Sequence, residues 1–236
     1  MSQTYLKMKM QSDRRLALTI TKALQEVHSN LVSTINDVKA GSSRLVNYGS
    51  CLSSDNYYRQ TCRETWQEDT RLVMSLSEIY KRNDVVLDMV QIYFQKILTR
   101  VDQKTANDIN EHVVKIIGVA AAHASGKFSK LALASTIAKI ITNSHAFKES
   151  HIKIVNNFSS WFVTGTSLYA NAKIASDASR KLIFQDSDYY HALYRENIEM
   201  LYFLIEPQMS KIIYQINSGS NNQEKILEAL NEILKK

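Results

Sequence analysis

Proline occurs once in 236 residues, at Pro207, and glycine six times. A chain so poor in turn formers cannot supply the many tight reversals of an all-β protein. It has to be built from long helices joined by short polar loops. The apolar spacing agrees. After Ser12 and Asp13, which suit a helix N-terminus, Leu16, Ile20, Leu24, Val27, Leu31, Ile35 and Val38 recur at steps of three and four, and Gly41 ends the stripe.

The same reading predicts a helix over Tyr57 to Arg82 with Trp66, Val73, Leu76 and Ile79 inward. Asn83 and Asp84 punctuate it and cap a third helix, whose apolar side carries Val86, Val90, Tyr93, Phe94, Ile97 and Val101. A fourth starts near Thr105. A long one runs from Ser150 to Lys181, and another runs from the DSD cap at Asp186 to Glu206. Pro207 suits the first turn of a new helix, and a last helix spans Gln223 to Leu234 behind the linker SGSNNQ. The expected fold is all-α: one bundle of about eight helices over residues 1–236, with residues 1–41 and 222–236 as mobile terminal helices.

Charge is distributed unevenly along this pattern. From His112 to Ser176 there are seven lysines, no arginine and one acid, Glu149. Removing these from the 29 basic and 23 acidic residues leaves 22 of each, so the stretch carries the whole net charge of +6. It is also rich in small residues, as in GVAAAHASG and LALASTIA. Water-facing helices normally mix both signs on their outer face. The expectation is therefore an acid-poor central helical hairpin enclosed by amphipathic helices.

Its two apolar segments, Val113 to Ala124 and Leu131 to Ile141, would each be about 16 to 18 Å long as helices. That is short of the roughly 30 Å of a bilayer's hydrocarbon core. Gly118, Ala122 and Gly126 stand four apart, as do Ser167, Asn171, Ala175 and Ser179, a spacing that lets two helix backbones approach closely. Gly165, inside an expected helix, also points to close packing.

Motifs for chemistry are wanting. The GKFS at Gly126 lacks the upstream glycine and preceding strand of a phosphate-binding loop. Asp188, His191 and Glu199 share one helical face, but the second Glu-x-x-His of a di-iron bundle is missing. No G-x-S-x-G is present, and neither cysteine has a recognisable histidine partner. No catalytic residue, metal site or cofactor is assigned. Cys51 and Cys62 flank the polar run CLSSDNYYRQTC, and either a disulfide or two reduced thiols would suit them. A basic stretch without arginine lacks the bidentate donors that nucleic-acid sites favour, so nucleic acid is not expected as a partner.

Two functional readings remain. In the first, a non-enzymatic helical effector or toxin exposes its central helices to an anionic membrane and inserts, forming pores and oligomerising only there. In the second, a soluble helical adaptor, immunity or regulatory protein sets a lysine-dotted surface against an acidic protein partner. The residues expected at the membrane or partner are Lys115, Gly118, Ala122, Gly126, Lys127, Lys130, Lys139, Trp161, Gly165 and Lys173. The N-terminal MSQTYLKMKMQSDRR has no apolar core of signal-peptide length. Synthesis as a soluble cytoplasmic protein is expected, with any export by a dedicated route.

Overall fold

The computed structural model describes residues 53–117, 129–162 and 167–217 together with Glu228, except the side chains of Tyr80 and of residues 116–117, 158–162 and 167–171. Eight α-helices and one 3₁₀ helix make up these residues: α1 (Asn56–Lys81), α2 (Val85–Arg100), α3 (Gln103–Ile117), α4 (Lys130–Asn143), α5 (His145–Phe162), α6 (Ser167–Gln185), α7 (Ser187–Arg195), the 3₁₀ segment (Glu199–Leu204) and α8 (Glu206–Asn217). The described residues form an all-α bundle, as the turn-poor sequence requires. The expected helices at 1–41 and 222–236 lie outside them, Glu228 apart.

Short polar side chains start four of the helices, two of them, Asp84 and Asp186, where the sequence places them. Asp55, Asp84, Ser129 and Asp186 accept hydrogen bonds from the backbone amides of Tyr57, Leu87, Ala132 and Tyr189. Each satisfies an amide that has no partner inside its own helix. Lys130 does the reverse job. Its ammonium donates to the carbonyl of Val101, 2.6 Å away, at the C-terminal end of α2, where a cation also meets the negative end of the helix dipole.

At the centre of the core is the run MLYFLI, the longest aromatic-aliphatic run in the chain. Met200 to Ile205 are all buried. The 3₁₀ segment touches α1, α5, α6, α7 and α8. It can fit among them because α6 turns its small residues inward: Ala172, Ala175, Ser176, Ala178 and Ser179 are buried, and α6 packs directly on the segment. Small side chains allow that close approach. Beside it, Tyr93, Phe94, Tyr189 and Tyr202 meet edge to face with ring centroids 5.0 to 6.1 Å apart, the geometry that aromatic quadrupoles prefer.

Three expectations change. The long helix from Ser150 to Lys181 is two helices, α5 and α6, which pack against each other; a single straight helix cannot touch itself. The helix from Asp186 to Glu206 ends at Arg195, because Asn197 adopts φ 57°, in the left-handed region. Asparagine tolerates that conformation better than most residues. The third concerns α1. Trp66 is 36% exposed; Leu76 is buried and Val73 and Ile79 pack against the core as expected, and the buried face also runs through Cys62, Thr65, Asp69, Leu72 and Ser75. Part of that face is polar, which hid it from an apolar-period reading. Cys62 is buried and disulfide-bonded; Cys51 lies outside the described residues.

The acid-poor stretch enters the core through α4. Leu133, Ala134, Ile137, Ala138 and Ile141 are buried, and α4 and α2 form the most extensive helix pair. The opposite face of α4 is open, with Leu131 57% exposed and Lys139 in solvent.

Candidate functional site

Two classes of charged residue emerge from the fold. Around α1, α2, α6 and α7 many cations are paired. Arg71 on α1 reaches the buried carboxylate of Glu199, with its Nε and Nη2 each 2.6 Å from one oxygen. It also donates to Asn197 Oδ1 and to the carbonyl of Tyr194, both at 2.7 Å, and stacks 3.7 Å from the centroid of the Tyr194 ring. Burial works against the Arg71 charge, but the hydrogen bonds and charge of Glu199 outweigh it and raise its pKa. Lys96 pairs with Asp186, and burial lowers the lysine's pKa although Asp186 opposes the shift. Arg82 joins Glu78, Asp88 and Glu196; Arg100 pairs with Asp188; Arg180 with Glu68; Lys181 with Glu206.

Two of the three residues in the metal pattern weighed from the sequence are ion-paired. Asp188 is taken by Arg100 and Glu199 by Arg71, and His191 is exposed. Among the described residues no three His, Cys, Asp or Glu side chains converge.

Exposed cations outside these pairs include Arg59 and Arg63 on α1 and Arg195 on α7, and a further set lies on α3, α4, α5 and α8. Lys115, Lys139, Lys153 and Lys211 are exposed and Lys148 is half-buried. None of the five has a carboxylate within 4.0 Å among the described residues. On α5, His145, Lys148, Glu149, Ile152, Lys153, Asn156 and Asn157 recur at steps of three and four and line one shallow hollow. The single acid there, Glu149, stands 3.8 Å from His145. Lys211 belongs to the adjoining recess between the α4–α5 corner and α8. The corner is set by Ser144, whose Oγ donates to the carbonyl of Ile141, and by Gln208 of α8, which donates to the carbonyl of Ala146.

The residues expected at a membrane or partner divide accordingly. Lys115 and Lys139 are exposed. Lys130 is engaged by the α2 C-terminus, and Lys173 is paired with Asp177 at 2.8 Å. Trp161 is on α5, with its side chain outside the description; Gly118, Ala122, Gly126, Lys127 and Gly165 lie outside the described residues. Lys211 was missed because it sits beyond the acid-poor stretch and reaches this surface only through the packing of α8 on α5. Lys148 and Lys153 share the stretch's charge signal, but only the α5 face shows that they line one hollow.

His151 lies on the inner side of α5, with Nδ1 3.1 Å from the carbonyl of Leu204 and its ring stacked on Phe147. Burial lowers its pKa, while the Leu204 hydrogen bond and the Asp84 charge raise it. The sequence is unaccompanied in comparison: no family model matches it, and no curated protein or solved structure is significantly similar to it.

Proposed function

We propose that this chain is a helical binding protein without covalent chemistry, and that the lysine face of α4, α5 and α8 docks an acidic protein partner. The observation that supports this is the set of lysines on these three helices. Lys139, Lys148, Lys153 and Lys211 lack ion-pair partners among the described residues, whereas the cations facing Glu199, Asp186 and Asp188 are matched. Unmatched surface charge of one sign steers an oppositely charged partner and fixes its orientation more than it adds raw affinity.

The reading by membrane insertion meets an energetic obstacle. No helix among the described residues is long and apolar enough to cross a membrane. Freeing α4 would expose Leu133, Ile137 and Ile141, at about 1.5–3 kcal/mol for each large side chain, or roughly 5–9 kcal/mol. The small-residue face of α6 is likewise occupied by the 3₁₀ segment.

The test is a titration of the full chain with poly-glutamate and, separately, with phosphatidylserine vesicles loaded with dye. Poly-glutamate is expected to bind at low salt and to weaken as salt rises, since screening sets in over about 10 Å at 0.1 M. Reversal of Lys148, Lys153 and Lys211 to Glu should abolish it. Vesicle binding with dye release, and no binding of poly-glutamate, would transfer the function to the membrane.

A further inference from the structure

One of the unmatched lysines, Lys211, lines a recess with an apolar floor and a rim that includes Ser144, Gln208 and Gln215. Its floor is Ile141, Phe147 and Ile212, all buried, while Ala146 and Lys211 are exposed at its edge and Gln208 is half-buried. It holds about 120 Å³. Sites for small organic ligands run to about 300–1,000 Å³, so this one is too small for a cofactor and suits a single side chain. None of its lining residues is acidic, and Lys148 follows Phe147 on the same turn of α5. An apolar floor beside unmatched cations is complementary to an apolar side chain flanked by carboxylates.

The partner's backbone is constrained too. The described surface is all helical and offers no strand edge with which an extended segment could pair. A helical segment docking here satisfies its own amides and can present anchors at helical spacing. We propose that the recess receives one aliphatic side chain of an acidic amphipathic helix belonging to the protein partner, with the helix's carboxylates against Lys148, Lys153 and Lys211. This rests on the binding reading above and adds the shape of the partner to it.

The experiment uses the full chain and a synthetic helix of about four turns, with leucines at steps of three and four and glutamates elsewhere. The comparison ligands are the same peptide with serine for leucine, poly-glutamate of equal length, and phosphatidylserine vesicles. Ala146→Trp fills the recess from an exposed position without removing a core side chain. The leucine peptide should bind about tenfold or more tighter than the serine peptide, as expected for burying one large aliphatic group. Ala146→Trp should erase that difference and leave poly-glutamate binding unchanged. The serine peptide serves as the control that does not depend on how the Trp variant folds. Equal binding of the leucine and serine peptides would overturn the recess while leaving the lysine face intact. Failure of every acidic peptide would overturn both, and vesicle binding in their place would assign the lysines to lipid.

Discussion

Arg71→Met is the most informative single change to the scaffold. Glu199 is 1% exposed and both its oxygens are held by Arg71 at 2.6 Å. Removing the guanidinium leaves a carboxylate without its counter-charge beside the buried 3₁₀ segment. It also strips hydrogen bonds from Asn197 and the Tyr194 carbonyl and the cation from the Tyr194 ring. Breaking a buried ion pair from one side costs about 3–5 kcal/mol. With a urea slope of about 3 kcal/mol/M, the upper end for small proteins, the midpoint should fall by roughly 1–2 M. The assay is urea unfolding followed by circular dichroism. Arg71→Met combined with Glu199→Leu should recover much of the loss, because an apolar pair of similar volume replaces a buried ion pair at little net cost. A single variant within about 0.5 kcal/mol of the parent would refute the reasoning, because that is the scatter of unremarkable surface changes. So would a double variant that loses the sum of both singles, since residues in contact should not be additive.

Other changes follow from the same structure. His151 is half-buried, with its pKa below the ordinary value of about 6.5. Its unfolded form therefore takes up a proton first as pH falls, so stability should be full above that value and decline below it; His151→Phe should flatten this part of the curve in thermal melts at pH 5 to 8 (roughly the window in which a histidine titrates). Asp84, the charged group near His151, has its pKa raised by burial and contributes in the opposite direction at lower pH. Asn197→Ala should cost about 1–2 kcal/mol for the left-handed backbone alone, whereas Asn197→Gly should lose only the bond to Arg71; equal losses in urea titrations would contradict the role of φ. Ile137→Ala, at the α2–α4 contact, should cost about 2–5 kcal/mol, and a neutral result would show that α4 is not part of the core.

The helices could be read from apolar spacing wherever one face meets the core and caps mark the ends. The α2 stripe from Val86 to Val101 and the caps at Asp84 and Asp186 were legible for that reason. Two things were not. The face that α1 buries includes Thr65, Asp69 and Ser75, and polar residues on an inner face carry no hydrophobic period. The Arg71–Glu199 pair joins positions 128 apart, a coupling that exists only once α7 ends and Asn197 turns the chain. Of the candidate site, the excess of lysine was visible in composition. Which lysines remain unmatched was not, because Lys130 finds its partner at the end of α2, 29 residues away, while Lys211 arrives from a later helix; only the Lys173–Asp177 pair is local.

Whether α4 stays in place while the lysines work is the point on which the account turns. Amide hydrogen exchange of residues 133–141, measured with and without phosphatidylserine vesicles and again with the acidic leucine peptide, addresses it directly. Protection of these amides should be unchanged by vesicles, and the peptide should add protection around the α4–α5 corner and α8. Vesicle-induced opening of α4 from α2, followed by new protection against lipid, would contradict it.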